Sequence, residues 1–248
     1  MRLDQALVAR GLAESRARAR AAIEAGLVRV DGAVATKPAQ EVGEAAVLHA
    51  EAAFPWVGRG ALKLLEALEL WPVAVQGRVC LDVGASTGGF TEVLLSRGAA
   101  RVHAVDVGRG QLHPRVARDP RVVSLEGVDA RRLDRALVPE PVGLIVCDAS
   151  FIGLEKVLPA ALALAEPGAE LVALIKPQFE VGPERVGKGG LVRDPAARAE
   201  AVAGVRAWLE ASGWTVRGEA ESPIAGGDGN VEFLVWAVRP RETEEVAP

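Results

Sequence analysis

Residues 78–90 read RVCLDVGASTGGF, and the fold of most of the chain follows from them. Val79, Cys80, Leu81 and Val83 form a short apolar run, as in a strand buried on both faces. Glycines then interrupt it, and GGFTEVLLSR (88–97) continues with the spacing of a helix. Downstream, RVHAVD (101–106), RVVSL (121–125), VGLIVCD (142–148) and AELVALIK (169–176) read as further strands with helical stretches between them, and a helix spans 195–211. This alternation predicts an α/β, Rossmann-like parallel sheet covered by helices on both faces. WTVRGEAE (214–221) and NVEFLVWAVR (230–239) are separated only by the loop SPIAGGDG, so they should pair antiparallel.

The turn after the first strand lies at the carboxyl edge, where open α/β sheets bind ligands. Asp106 ends the next strand 22 residues beyond Gly84, the place from which a carboxylate can accept hydrogen bonds from ribose hydroxyls. Together they point to an adenosine-containing cofactor, with a purely structural turn as the alternative. Gly84 to Gly88 also match G-x-S-x-G, which would make Ser86 a hydrolase nucleophile. That chemistry needs a late histidine, and His49, His103 and His113 all precede the fourth strand. The spacing G-x-x-x-G-G differs from the G-x-G-x-x-G that binds a pyrophosphate, so S-adenosylmethionine, which has no phosphate, fits better.

Asp148 and Lys176 end the fourth and fifth strands and therefore share that edge. Glu232 opens the last strand, whose antiparallel direction brings it to the same place. Its face continues with Leu234, Trp236 and Val238, so the carboxylate needs a partner, and Lys176 is the expected one. Lys63, on the helix GALKLLEALEL, reads by itself as a solvated lysine paired with Glu66. No ligand cluster with metal spacing is present, and no metal is inferred.

The chain has 248 residues with 29 basic and 33 acidic side chains, a net charge of -4. This balance, with half the residues hydrophobic, excludes disorder. No apolar run long enough for a membrane span or signal segment occurs, so a cytoplasmic protein is expected. Cys80 and Cys147 read as buried, reduced thiols. Only 5 of the basic residues are lysines. Residues 1–30 carry six arginines against three acids, a basic start in an acidic chain that points to a polyanion. Leu3, Leu7 and Val8 mark a first helix; Ser15 caps a second through Ile23, ended by Gly26. Arg16 and Arg20 share one face of it, suited to phosphate oxygens. LVRVDGAVA and EVGEAAVLH read as small strands around an Asp31-Gly32 hairpin turn. A solvated helix hairpin is the alternative to polyanion binding. HAEAAFPWVGRG (49–60) reads as a linker, with the second domain starting near Gly60.

RLDQALVARGLAESRARARAAIEAGLVRVDGAV closely resembles the S4 RNA-binding domain. GRGALKL, LDVGASTGGFT, CDASFIGL, LIKPQFEVG and SPIAGGDGNVEFL, in that order, resemble the TlyA family, in which an S4 domain precedes an FtsJ-like 2'-O-methyltransferase domain. The resemblance implies an S4 domain over 1–48, a linker over 49–59, a methyltransferase domain over 60–240 and an acidic tail over 241–248. It implies a catalytic tetrad of Lys63, Asp148, Lys176 and Glu232. It also implies a cofactor site formed by Asp82, Gly84, Ala85, Ser86, Thr87, Gly88, Gly89, Phe90, Asp106, Asp129 and Asp148. The activity implied is methylation of cytidine ribose 2'-hydroxyls in ribosomal RNA, from S-adenosylmethionine. Gly58 stands where the family often has serine, and GVDARRL, which includes Asp129, replaces a more usual Thr-Asn pairing.

RNA would be gripped by Arg2, Arg16, Arg20 and Arg59, supplemented by residues 97–135, with nine arginines against five acids. The chain begins almost at RLDQAL, as in the family's shorter members, so the large ribosomal subunit and its 23S RNA are the expected partner. Two other readings are a non-catalytic RNA-binding or ribosome-assembly protein and a haemolysin-like protein, a name the family has also carried. The filled tetrad argues against the first; the absence of a membrane-spanning stretch or a strongly basic amphipathic helix argues against the second. In the mechanism expected, Lys176 is the base, Asp148 and Glu232 orient the amines, and Lys63 tunes the charge and holds the hydroxyl. Residues 177–193 read as a lid over RNA. Phe151 and Phe179 stack on a flipped base or pack beneath the site.

Overall fold

The computed structural model describes residues 1–51 and 55–241, and the chain divides into two compact units with the boundary between Arg59 and Gly60. Residues 52–54 of the expected linker and 242–248 of the expected acidic tail lie outside the described residues.

In the N-terminal unit, α1 (Leu3–Ala9) and α2 (Arg16–Glu24) lie with a three-stranded antiparallel sheet of β1 (Val28–Val30), β2 (Ala33–Val34) and β3 (Leu48–Ala50), in the order β2-β1-β3. Leu3, Leu7, Ile23 and Val28 are buried in its core. The Ser15 hydroxyl accepts a hydrogen bond from the Arg18 amide (3.3 Å), the cap read from the sequence. Asp31 and Gly32 take φ of 49° and 84°, the left-handed pair that a two-residue hairpin turn requires. His49 and Ala50 pair with Arg29 and Val28, so the linker read as starting at 49 starts later. Strand alternation carries two residues beyond buried Leu48, which a reading by composition misses.

The second unit begins with α3 (Ala61–Leu70), β4 (Val79–Val83), α4 (Gly89–Ser96), β5 (Arg101–Asp106), α5 (Pro114–Ala117) and β6 (Val122–Glu126). It continues with β7 (Val142–Cys147), α6 (Leu154–Val157), α7 (Pro159–Ala163), β8 (Ala165–Ile175), α8 (Pro177–Glu180), α9 (Pro195–Ala211), β9 (Thr215–Glu221) and β10 (Phe233–Val238). The sheet order is β6-β5-β4-β7-β8-β10-β9. β4 to β8 run parallel, and β10 is antiparallel to both β8 and β9, as the missing crossover helix predicts. Strand order reverses between β4 and β7, which opens a ligand crevice at their carboxyl ends. The β6 to β7 crossover contains one short 3-10 turn, Ala130–Arg132, rather than a full helix, and Leu133 already returns to extended backbone.

Leu81, Ile145, Leu171 and Ala173 fill the core and hold the central strands rigid. Burial pushes the thiols of Cys80 and Cys147 up to about 12, so neither is a nucleophile at neutral pH. Trp71, which ends α3, stacks on Trp236 with ring centroids 6.0 Å apart. Buried Glu170 accepts hydrogen bonds from Trp236 Nε1 (2.8 Å) and Arg78 Nη1 (2.9 Å) beside it. These contacts fasten the far end of α3 to the sheet, and the near end carries Lys63. No helix among the described residues is long and apolar enough to cross a membrane.

Candidate active site

β4 delivers the chain to Gly84, whose φ is 83°. A Cβ there would lie 2.8 Å from the Ala149 Cα, so only glycine lets this turn pack against the segment after β7. The Asp148 amide completes the junction by donating to the Val83 carbonyl (3.1 Å). Asp106, at the end of β5, accepts hydrogen bonds from the amides of Ser86 (2.8 Å) and Gly108 (2.7 Å). The result is a cavity of about 590 Å³ whose wall includes Gly84, Ser86, Asp106, Asp129 and Asp148.

Of the other cofactor-site residues implied by the family, Asp82, Ala85, Thr87, Gly88, Gly89 and Phe90 are not on that wall. Thr87 is exposed, and the other five are buried. Asp82 is buried and accepts a hydrogen bond from the Thr91 hydroxyl (2.6 Å). Burial pushes its carboxyl up to about 7, against the pull of the Thr91 hydrogen bond. Phe90 is buried beneath Gly60, and Gly88 enters α4 with φ 91°. Asp129 caps the 3-10 turn and is gripped by Arg131 (2.5 Å), which holds its carboxyl down at about 2.

The wall joins carboxylates to the apolar side chains Val83, Val105, Val107 and Ile152, and its basic lining residue, Arg131, is already paired with Asp129. Such a surface fits the hydroxyls of an adenosine and a nearby sulfonium cation. Among the described residues that line it there is no unpaired cation of the kind a pyrophosphate needs.

Asp148 also belongs to a second cluster. Lys63 is buried; its Nζ lies 2.6 Å from Glu232 Oε2 and 3.3 Å from Asp148 Oδ2. The reading of Lys63 as a solvated partner of Glu66 is therefore corrected. Lys176 Nζ is 2.7 Å from Asp148 Oδ1 and donates hydrogen bonds to Ser150 Oγ (2.8 Å) and the Asp148 carbonyl (3.2 Å). Two amines and two carboxylates compensate one another here, so that buried Lys63, Lys176 and Glu232 are each paired, with half-buried Asp148 shared between the two lysines. The partner expected for Glu232 was Lys176, and the structure supplies Lys63 instead. Phe233 does pair with Ile175, but the Lys176 amine turns towards Asp148 and Ser150 while α3 brings Lys63 to the carboxylate. Gly226 admits this arrangement, because a Cβ there would come within 2.5 Å of Glu232 Oε1.

Ser150 and Phe151 stand beside the cluster and were passed over or left open by residue-level reading, although both lie in the quoted motif CDASFIGL. Phe151 has φ 67° and is 90% exposed, with its ring 5.5 Å from that of Phe179. It does not pack beneath the site. Residues 177–193 were read as a lid, but much of the segment is pinned: Asn230 bonds the Val192 amide (2.9 Å) and the Gly190 carbonyl (2.8 Å), and Glu180 accepts from the Leu154 amide (2.9 Å).

In the N-terminal unit, Arg2 and Arg16 both converge on buried Asp4, at 3.1 and 2.9 Å, and Arg20 lies 3.6 Å from Glu24. Arg16 and Arg20 thus already have carboxylate partners. Arg59 ends this unit.

The strand order, the glycine turn with its cavity and the two lysines held by Asp148 on its wall define a doubly wound α/β methyltransferase. The FtsJ-like methyltransferase model matches residues 56–239, and the S4 domain model matches residues 1–48. The chain is 51% identical over 237 residues to the 16S/23S rRNA (cytidine-2'-O)-methyltransferase TlyA of Mycobacterium tuberculosis, covering 95% of this chain and 88% of that one. It is 36% identical to Hemolysin A of Brachyspira hyodysenteriae over 94% of this chain and 98% of that one. A solved structure from Streptococcus thermophilus, provisionally described as a hemolysin, superposes with a TM-score of 0.78 at 36% identity, covering 99% of this chain and 91% of that one. The chain belongs to the TlyA family.

Proposed function

We propose that the protein transfers a methyl group from S-adenosylmethionine to the 2'-hydroxyl of a cytidine ribose in 23S ribosomal RNA, acting in the cytoplasm on the large subunit. The observation that carries this reading is the Lys63, Asp148, Lys176 and Glu232 cluster, which shares Asp148 with the wall of an adenosine-sized cavity. When bound, S-adenosylmethionine supplies a methyl group on a sulfonium, an activated leaving group that needs no metal.

What the protein must add is alignment and a base, because a ribose hydroxyl is a poor nucleophile until its proton is drawn off. Lys176 takes that proton. Asp148 fixes the Lys176 amine, and Glu232 fixes Lys63, whose ammonium stabilises the developing negative charge on the ribose oxygen. Asp106 and the Gly84 turn hold the adenosine, with Asp129 at the adenine end. Phe151 offers its exposed ring to the base of the target nucleotide. Arg20 and Arg59, with the outer edges of Arg2 and Arg16, hold the RNA backbone.

Incubating the protein and labelled S-adenosylmethionine with separated ribosomal subunits, then mapping the labelled ribose, tests this. Label on one cytidine ribose of 23S RNA is the expected result. Label confined to 16S RNA corrects the substrate, and RNA binding without label in either subunit supports a non-catalytic assembly protein instead.

A further inference from the structure

Three oxygens surround the Lys176 amine: Asp148 Oδ1 at 2.7 Å, the Asp148 carbonyl at 3.2 Å and Ser150 Oγ at 2.8 Å. Two of them, an ionised carboxylate and a peptide carbonyl, can only accept hydrogen bonds. A site made of those alone is satisfied by an ammonium, which has three protons to give, and disfavours the neutral amine, which must direct a lone pair at something. The serine hydroxyl differs because it can turn, accepting from the ammonium or donating to the amine.

We propose that Ser150 is a positioning residue that keeps Lys176 competent as a base by matching either of its protonation states. This deepens the methyltransferase reading and rests on it. In the resting site Lys176 Nζ donates to Ser150 Oγ; when the amine gives up a proton to solvent, the Ser150 hydroxyl turns and donates to its lone pair. The incoming ribose hydroxyl takes over that donation, and its proton passes to Nζ as the oxygen bonds to the methyl carbon and the carbon-sulfur electron pair leaves with sulfur. Ser150 Oγ then rotates and accepts from the new ammonium. No proton travels through the serine, so protons and electrons balance without it.

The local backbone serves this arrangement. Ser150 is exposed although Lys176 is buried, so its hydroxyl is free to turn and an arriving ribose can reach the same amine. The next residue, Phe151, is held in the left-handed region, where a non-glycine residue is uncommon and strained. The other charged and titratable groups around the amine are Asp148, Lys63 beyond it, Glu232 holding Lys63, and the Cys147 thiol behind. None of these can follow the change in the amine by rotating a single hydroxyl.

The test uses the full-length protein with the ribosomal RNA that the wild type labels, in single-turnover methyl transfer across a range of pH. At saturating cofactor and RNA, Ser150→Ala should slow transfer at neutral pH roughly tenfold or more and shift the acid limb of the rate profile to higher pH. Raising the pH should restore the rate, which a merely structural defect would not allow. Ser150→Thr should return the profile to that of the wild type. A second readout needs no turnover: with only 5 lysines in the chain, the Lys176 side-chain signal can be followed by NMR in isotope-labelled protein. It should stay in its ammonium form to higher pH in Ser150→Ala than in the wild type. An active wild type with an unshifted profile in Ser150→Ala, or a loss that high pH and threonine do not rescue, overturns the proposal. A wild type that labels no RNA overturns the methyltransferase reading instead, and the NMR titration still decides whether serine and lysine are coupled.

Discussion

Lys63 Nζ and Glu232 Oε2 stand 2.6 Å apart although 169 residues separate them in the chain. One comes from the first turn of α3, the other from the residue before β10, and both are buried. The contact closes the unit on itself and lies within the cluster proposed to be catalytic. Glu232→Ala leaves a buried ammonium with only the longer contact to Asp148, so unfolding by urea should show a loss of about 3–5 kcal/mol. Glu232→Gln keeps the shape and a hydrogen-bond acceptor. It should lose far less stability yet still slow methyl transfer, which separates the structural part of the contact from the catalytic part.

Lys176 has a stricter requirement. A base must lose a proton, and guanidinium does not do so in the working range. Lys176→Arg and Lys176→Ala should therefore both lower single-turnover transfer by about 10²–10⁴-fold, while calorimetry finds cofactor affinity close to wild type. Lys63→Arg keeps the positive charge that Lys63 contributes and should retain more activity than Lys176→Arg. A greater loss in Lys63→Arg than in Lys176→Arg would reverse the assignment of the base.

Strand direction and the carboxyl-edge placement of Asp148, Lys176 and Glu232 were legible because each follows from alternation and position along a strand. Lys63 was not legible from its own helix. GALKLLEALEL offers Glu66 one turn on, and nothing local says that the helix docks with Lys63 inward. That depends on the Trp71 and Trp236 stack and on close approaches at Gly60 and Gly226, which are contacts between distant segments. The roles of Arg2 and Arg16 were hidden for a similar reason. Asp4 looks like an ordinary helix-start carboxylate, and only the packing of α1 against α2 reveals it as a buried anchor for both. Family motifs supplied Lys63 where residue-level reasoning did not, because they record which distant residues meet.

Asp4 makes the two helix arginines separable. Its hydrogen bonds to Arg2 and Arg16 hold its carboxyl down at about 2. A carboxyl with a lowered pKa stabilises the fold above its unfolded value of about 4 and loses that contribution as pH falls towards 2. Arg16→Ala should lower the melting temperature of the protein and narrow this acid-sensitive window. Arg20→Ala, which removes an exposed pair with Glu24, should leave stability within about 0.5 kcal/mol. RNA affinity should fall in Arg20→Ala, with a shallower dependence on salt. An Arg20 variant that binds RNA as the wild type does would remove this residue from the interface.

Asp82 gives the opposite pH signature. Burial raises its carboxyl from the ordinary value to about 7 in the folded protein, so between about pH 4 and pH 7 the folded state holds a proton that the unfolded chain has released. Stability should therefore fall as pH rises through that window, by at most about 1.4 kcal/mol per pH unit from this group. Other carboxylates, Asp4 among them, act in the other direction and at lower pH. Asp82→Asn keeps an oxygen that can accept from the Thr91 hydroxyl but cannot ionise. Urea midpoints measured from pH 4.5 to pH 7.5 should slope downward less, or rise more, in Asp82→Asn than in the wild type. Parallel curves for the two proteins would mean that Asp82 is already ionised inside the fold, and its role behind the glycine turn would then be that of a fixed negative charge rather than a protonated hydrogen-bonding group.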